Sequence, residues 1–581
     1  MPQDLPGPRS YGTRDERLRP RGDRRIDVHA KIESWGLFHA QLTDLSRSGL
    51  RCLVFDTAAA PFPGTRLSAL RLIADGVAHD APSAVLRRTE PVLAEGVPTG
   101  LVLLGLAFDR SAEDLLAVLA PLLSPSEYVT DELRGEPGPG SVPGADAGDR
   151  TLVDFYRADS ADLFEKCRAF HCHVKDLQAS GLYQALYRVT LTSGLDHRIT
   201  VFNPLRRREE EMVCFDSNSY LGLHLHPRVT GAVRRGMEVA GYGTPSAQPL
   251  GGTNRWLREL EEVLARFHGR EDALVFSSGY SAGVGAIVGL VRENDLVVTD
   301  RLSHASLHAG ARASGSRFSQ TYAHGDPASL ERALVAGKTA GCLGKLVASD
   351  GVFAANGRLA PLPRLVELAR RHGARLLLDD ANATGVLGPN GRGSEEHFGL
   401  AGAADILMGT FSKAAGSIGG YVCGSRELIY YLRFYAPSAM FTAAPPAALC
   451  AGVAEAFRVM EEEPDHRIRL WENVRALAPA LGQAGLLAPV APESAIVTIF
   501  LGSSRLLWRF CRDLFDEGIK CGATAHPVVP AGEAMVRLAV NARHTAEDLA
   551  RTVEAFARLG KKYDILGRSR EEVAAIGDRL T

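Results

Sequence analysis

The residues best placed to do chemistry lie in a few short motifs of the C-terminal two-thirds of the chain. In Asp405-Ile-Leu-Met-Gly-Thr410-Phe-Ser-Lys413, an apolar run reads as a buried strand and leads into a lysine, and mostly small residues follow as far as Gly420. A lysine in a dry setting is costly as an ammonium, and the same cost makes it a usable nucleophile and Schiff-base former. Alone, it reads equally well as a surface lysine past a strand end. Arg375-Leu-Leu-Leu-Asp379-Asp380-Ala-Asn382 sets carboxylates at the end of another apolar run. Asp379 there could cap a turn or pair with a cationic ring nitrogen. Ser277-Ser278-Gly279-Tyr280 opens a helix after a strand, a natural anion site. It is not a dinucleotide fingerprint, and no phosphate-loop Gly-Lys-Ser/Thr is present. His304 is by default a hydrogen-bonded structural histidine, although its flat ring could cover a planar cofactor. A lysine to bond an aldehyde, an aspartate to hold a pyridinium proton and phosphate donors at a helix start are together what pyridoxal phosphate needs.

The elements that must position these groups alternate. Strands are expected at Ala273–Phe276, Val297–Thr299, Leu343–Ala348, Arg375–Leu378 and Asp405–Met408, with helices such as Pro227–Ala240, Arg255–Phe267 and Leu362–His372. That alternation predicts a mainly parallel sheet with helices on both faces, where ligands bind beyond the carboxyl ends of the strands. Upstream, Asp154–Leu186 reads as helical. Downstream, Ala447–Ala480 is strongly helical, strands follow near Ala495–Phe500 and Met535–Val540, and a helix spans Ala546–Leu559. The last residues read as a polar tail.

The order and context of these motifs resemble the α-oxoamine synthase family, fold-type I pyridoxal-phosphate enzymes that include aminooxononanoate synthase and serine palmitoyltransferase. The resemblance covers roughly residues 180–555. It rests on Ser217-Asn-Ser-Tyr-Leu-Gly-Leu-x-x-His-Pro227, Phe276-Ser-Ser-Gly-Tyr280, His304-Ala-Ser306, His324-Gly-Asp326, Thr384-Gly-Val-Leu-Gly-x-x-Gly-Arg-Gly393, Gly409-Thr-Phe-Ser-Lys413 and Arg537 ahead of His544-Thr545. It implies a large, mostly parallel sheet domain with a smaller α+β C-terminal domain. It casts Lys413 as the lysine that bonds the cofactor's aldehyde, Asp379 as the ring-nitrogen partner and His304 as the ring's cover. Ser278, Gly279, Tyr280 and Thr410 would surround the phosphate, Asn382 would lie near the ring oxygen, and Asn218 and Arg537 would hold an amino-acid carboxylate. The implied reaction condenses an amino acid with an acyl-coenzyme A or other acyl thioester, with loss of carbon dioxide, to an α-amino ketone. A homodimer is implied as well. Three positions depart from the family pattern: Asn382 stands for a histidine, Ala354 for a serine, and Gln248 for an arginine. The alternatives are an aminotransferase or amino-acid lyase, or a catalytically drifted scaffold.

Ahead of this region lies a different module. Short segments with turn signals between them, Ile26–Ala30, Phe38–Leu42, Leu50–Phe55, Arg66–Ile73, Ala84–Thr89 and Leu101–Phe108, predict a small all-β barrel. Arg21 and Arg25 at its entrance can fork onto phosphate or a guanine edge. Asp44 and Ser46 offer acceptors, and Gly49 allows close approach. A solvated basic arm is the plainer reading of the arginines. The Arg-x-x-x-Arg pair, the Asp-x-Ser-x-x-Gly motif and the closing Leu104-Gly-Leu-Ala-Phe108 together resemble the PilZ family, which implies binding of cyclic di-GMP.

Length and composition bound the rest. A chain of 581 residues holds about two to four domains. The organisation expected is a disordered arm over 1–20, a barrel over 21–123, a Gly/Pro-rich linker over 124–150, a lead-in over 151–223, a large cofactor-binding domain over 224–445, a small domain over 446–560 and a tail over 561–581. A net charge of −2 gives no whole-chain field for a nucleic-acid polymer or a membrane. The charge-free run Ala273–Val291 is broken by Ser277-Ser278-Gly279 and reads as strand-turn-helix, not a membrane span. Nine scattered cysteines and a charged N-terminus without an apolar core suggest a cytoplasmic protein with free thiols. Cys167, His171, Cys172 and His173 could suggest a metal cluster, but no second pair appears at zinc-site spacing. No metal is expected.

Overall fold

The structure is a computed structural model. It describes the backbone of seven strands between residues 26 and 108, residue 155, and residues 162–203 and 206–579, with side chains through 577 in the last of these stretches. The chain divides into two compact units, residues 1–138 and 139–581.

In the first unit, β1 (Ile26–Ile32), β2 (Gly36–Ser46), β3 (Gly49–Val54), β4 (Arg66–Ala74), β5 (Val77–Asp80), β6 (Ala84–Ala94) and β7 (Val97–Phe108) pair in the order β1-β2-β3-β7-β6-β4-β5. β4 also pairs antiparallel with β1, Ile26 opposite Ala74, so the ladder returns on itself. β2 and β3 form a hairpin with Ser46 opposite Gly49, which sets Asp44, Ser46 and Gly49 around one turn. Arg21 and Arg25 lie outside the described residues, as do the arm over 1–20 and the linker over 124–150.

The second unit begins with the helices Glu165–Ala179 and Leu182–Leu186. The single helix expected there is broken at Gly181, which takes φ 76°, a conformation open to glycine. β8 (Thr190–Leu191), β9 (Arg198–Asn203) and β10 (Arg208–Cys214) follow. The large sheet then contains β11 (Asp272–Phe276), β12 (Leu296–Asp300), β13 (Gln320–Tyr322), β14 (Lys345–Asp350), β15 (Arg375–Asp379), β16 (Ile406–Thr410) and β17 (Gly420–Gly424), in the order β11-β17-β16-β15-β14-β12-β13. Only β17 runs antiparallel to its neighbours. Alternate residues of each strand point to opposite faces. Val275, Val298 and Leu378 therefore join one apolar core, while Leu274, Val297 and Leu377 join the other. This is why the strands read as continuous apolar runs. The helix Arg255–Phe267 shows the complementary logic: Asn254 caps it, accepting from the Leu257 N–H at 3.1 Å, and Leu257, Leu260, Leu264 and Phe267 form its buried stripe.

The C-terminal part carries β18 (Ile496–Gly502), β19 (Ile519–Lys520), β20 (Gly522–Thr524) and β21 (Ala534–Ala539). β18, β21 and β20 form a small antiparallel sheet, and β19 joins β10. The long helical stretch after residue 447 is two helices, Ala447–Glu462 and Asp465–Gln483. They part at Glu463-Pro464, where the proline has no N–H to extend the ladder. Residues 561–581 are not the tail expected. They include the helix Arg570–Arg579, whose Val573 is buried, because that helix lies across the end of β18, where a side chain on Gly502 would strike Ala574. Among the described residues no helix is long and apolar enough to cross a membrane.

Candidate active site

β12, β14, β15 and β16 deliver their carboxyl ends side by side, and the first three end in Asp300, Asp350 and Asp379. Asp379 is buried, is the register partner of Asp350, and accepts the Ala381 N–H at 3.1 Å. Asp350 is buried too and accepts the His304 N–H at 2.9 Å. Burial, and then the neighbouring Asp379 charge, hold the Asp350 carboxyl well above the usual carboxylate range, which favours its protonated form. Sequence reading gave Asp350 no role. Its strand-end position, matching that of Asp379, was the available signal.

Lys413 follows β16 by three residues. Burial lowers its pKa; the Asp379 and Asp350 charges oppose that shift and Arg537 adds to it. Its amine makes no hydrogen bond or ion pair among the described residues. The Lys413 amine is therefore held near carboxylates but engaged by none of them. His304 caps the helix Ala305–Ala313, Nδ1 accepting from the Ser306 N–H at 3.3 Å. Its pKa is lowered by burial, with Asp379 opposing and Lys413 reinforcing, so the ring is kept neutral. Lys413, Asp379 and His304, far apart in sequence, thus share one electrostatic neighbourhood.

An anion cradle adjoins them. Ser278 caps the helix Gly279–Leu290 by accepting from the Ser281 N–H at 3.0 Å, and Ala282 bonds back to Ser278 O. The Gly279 and Tyr280 N–H groups open the helix with no intrahelical acceptor. A Cβ on Gly279 would lie 2.7 Å from Thr410, so the absent side chain is what lets the helix start meet the end of β16. Thr410 donates to Gly419 O at 2.9 Å, and its hydroxyl lies 2.9 Å from Ser412 Oγ.

On the other side Arg537, on β21, donates from Nη2 to Asn218 Oδ1 and from Nε to Ala354 O, each at 2.8 Å. Asn382 donates to Val352 O at 3.1 Å and accepts from the Tyr220 hydroxyl at 3.0 Å. Tyr220 is fully buried with φ 44°, a strained backbone of the kind found at sites. Gln248 donates to Val275 O at 2.7 Å. All three positions that depart from the family pattern thus sit in formed hydrogen-bond networks, Ala354 through its carbonyl. A chain that sequence reading did not assign, Asn356–His324–Asp300, runs behind them, with contacts of 3.1 Å and 2.9 Å. By contrast the Cys/His segment does not converge: His173 stacks on Phe155 at 4.9 Å, while Cys167 and Cys172 are exposed.

The donor set fits pyridoxal phosphate. An unengaged amine, a buried carboxylate, a neutral flat ring and free N–H groups at a helix start come together at the carboxyl end of the large sheet. Comparison with known proteins agrees. Residues 210–556 match the family Aminotransferase class I and II. The chain belongs to that family. Among its members, the chain is 40% identical over 403 residues to 8-amino-7-oxononanoate synthase of Geobacter sulfurreducens, covering 69% of this chain and 100% of that protein. It is 38% identical over 417 residues to 4-hydroxy-2,2'-bipyrrole-5-methanol synthase PigH of a Serratia species, covering 71% of this chain but spanning only 62% of PigH. A serine palmitoyltransferase of S. paucimobilis, solved with a pyridoxal phosphate–myriocin adduct, superposes with a TM-score of 0.65 at 28% identity, over 69% of this chain and 99% of that one. As a member of the aminotransferase class I and II family this chain is a pyridoxal-phosphate-dependent transferase of the α-oxoamine synthase type, and its cofactor is pyridoxal 5'-phosphate.

Proposed function

We propose that the second unit condenses an amino acid with an acyl-coenzyme A or another acyl thioester, releasing carbon dioxide and an α-amino ketone. The observation that carries this reading is the Arg537–Asn218 pair beside Lys413: a cation with an oriented amide, next to an unengaged amine. Pyridoxal phosphate, when bound, supplies an aldehyde for amines and a cationic ring that withdraws electrons from the adjoining carbon. Lys413 would hold the cofactor through its aldehyde, and its amine, set near Asp379 and Asp350, would carry the proton taken from the amino acid's Cα. Asp379 would hold a proton on the ring nitrogen, and His304 would cover the ring face. Ser278, Gly279, Tyr280 and Thr410 hold the phosphate, while Asn382, steadied by Tyr220, has one amide proton left for the ring oxygen. Arg537 and Asn218 orient the carboxylate that is lost.

The test is free-thiol release from acyl-coenzyme A esters incubated with glycine, alanine or serine. Amino-acid-dependent thiol release with matching carbon dioxide supports the reading. Keto-acid formation from the amino acid, without thiol release, would replace it with an aminotransferase.

We propose further that the first unit binds cyclic di-GMP through Arg21, Arg25, Asp44, Ser46 and Gly49 in a PilZ-like barrel and adjusts turnover. The hairpin that sets Ser46 opposite Gly49 supports this. Calorimetric titration of the full chain should give saturable heat that Arg21→Ala/Arg25→Ala abolishes; equal heats would remove the proposal. A cytoplasmic homodimer completes the reading. It is supported by large apolar side chains left open on the surface, including Tyr242 at 89%, Leu250 at 84% and Ile418 at 64% exposure. Light scattering showing a monomer would overturn it.

A further inference from the structure

Away from the cofactor pocket, three side chains converge whose chemistry the reaction does not use. His226 caps the helix Pro227–Ala240. Glu463 and His466 stand at the elbow between the helices Ala447–Glu462 and Asp465–Gln483, and their Glu-x-x-His spacing puts both on one turn. His226 Nε2 lies 3.2 Å, and His466 Nε2 3.6 Å, from the same oxygen, Glu463 Oε2. The three ligand atoms all lie within 4.8 Å of one another. The two imidazoles meet edge-on, ring centres 5.5 Å apart at 79°, so the rings do not stack, and both Nε2 atoms face Glu463 Oε2.

We infer that His226, Glu463 and His466 bind a divalent ion of the zinc type. Zinc bonds to imidazole nitrogen and carboxylate oxygen at about 2.0–2.2 Å, which makes the edges of its tetrahedron about 3.4 Å. The two separations from Glu463 Oε2 bracket that edge. The remaining carboxylate oxygen, Oε1, is fixed by Arg228 Nη1 at 3.0 Å, the outer hydrogen bond that orients a ligating carboxylate. The side chains of His226, His466 and Glu463 are 15%, 19% and 35% exposed, which leaves an entry path and room for water as fourth ligand.

Without the ion, each ring presents Nε2–H to Glu463, because Nδ1 of His226 accepts from the Arg228 N–H at 3.3 Å and Nδ1 of His466 from Arg469 Nη2 at 3.2 Å. Binding needs both Nε2 lone pairs to face the ion, so in the bound state the proton of each neutral ring sits on Nδ1. The sacrifice is one long helix cap and one exposed arginine contact, small beside coordination of a divalent ion. The bound ion would tie the helix that follows the Asn218 segment to the elbow of the C-terminal part. Its effect falls on stability and not on the chemical step.

Full-length holoenzyme is stripped with chelator, dialysed against zinc chloride and assayed for zinc by mass spectrometry and for thermal midpoint. The comparison is with His226→Asn/His466→Gln, in which asparagine keeps a capping oxygen, and with the shape-preserving Glu463→Gln. Wild type should retain one more zinc per chain than either variant and show a zinc-dependent rise in Tm that both lack, while kcat stays the same in all three. Equal zinc content and equal Tm shifts in wild type and Glu463→Gln would overturn the inference and leave a purely hydrogen-bonded triad.

Discussion

Arg537 donates to Asn218 Oδ1 at 2.8 Å and, with its other edge, to Ala354 O at 2.8 Å. The guanidinium is thereby clamped between the segment entering the large domain and the loop after β14. It arrives on β21, where its register partner is Thr498. A cation fixed from two sides loses little freedom on taking a carboxylate, so the role proposed for Arg537 is positioning and not only charge.

Arg537→Ala should therefore lower kcat/KM for the amino acid by about a hundredfold, the equivalent of a lost charge-assisted hydrogen bond worth about 2–3 kcal/mol. Arg537→Lys should recover only part, because a point charge cannot hold both Asn218 and a carboxylate. Steady-state kinetics with varied amino acid read this directly, and unchanged kcat/KM in Arg537→Ala would remove Arg537 from the site.

Gly279→Ala tests the cradle. Its Cβ would sit 2.7 Å from Thr410, whose backbone belongs to β16 and cannot move freely. Overpacking of this kind costs about 1–3 kcal/mol. The variant should show a lower Tm and weaker retention of pyridoxal phosphate on dialysis, with Lys413 intact.

The acid limb of stability should carry the mark of His544. Burial lowers its pKa to about 4, against an ordinary value of 6.5. Between those values the unfolded chain takes up a proton that the folded chain refuses, so stability falls as pH falls from 6.5 to about 4. The slope from one such group is at most about 1.4 kcal/mol per pH unit. His544→Gln should lose the hydrogen bond to the Asn541 N–H, 3.0 Å in the native protein, and lower stability at neutral pH. Its stability should then fall less steeply than that of wild type across the same window. Denaturant titrations at several pH values between 4 and 7 make the comparison, and parallel slopes would contradict it.

Much of this arrangement could be read from the residues. Helices Pro227–Ala240 and Arg255–Phe267 have the bounds expected, because each has a clear start signal and a 3.6-residue apolar stripe. The positions of Lys413, Asp379 and His304 were legible because each stands where a strand ends or a helix begins. What was not legible depends on approach through space. Nothing in the spacing of Asp350 reveals that Asp379 is its register partner, and nothing at His226 points to Glu463, more than two hundred residues later. The break at Gly181 and the helix Arg570–Arg579 were missed for another reason. A lone glycine in a helical pattern and a short polar helix take their structure from tertiary contacts that local propensity does not record.

The central claim is that Lys413 holds the cofactor. Purified protein reconstituted with pyridoxal phosphate should show a visible absorbance band that borohydride abolishes, and digestion of the reduced protein should place the cofactor's mass on the peptide containing Lys413. Lys413→Ala should show neither the band nor the modified peptide. A band that persists in Lys413→Ala, or a cofactor found on another lysine, would contradict the account.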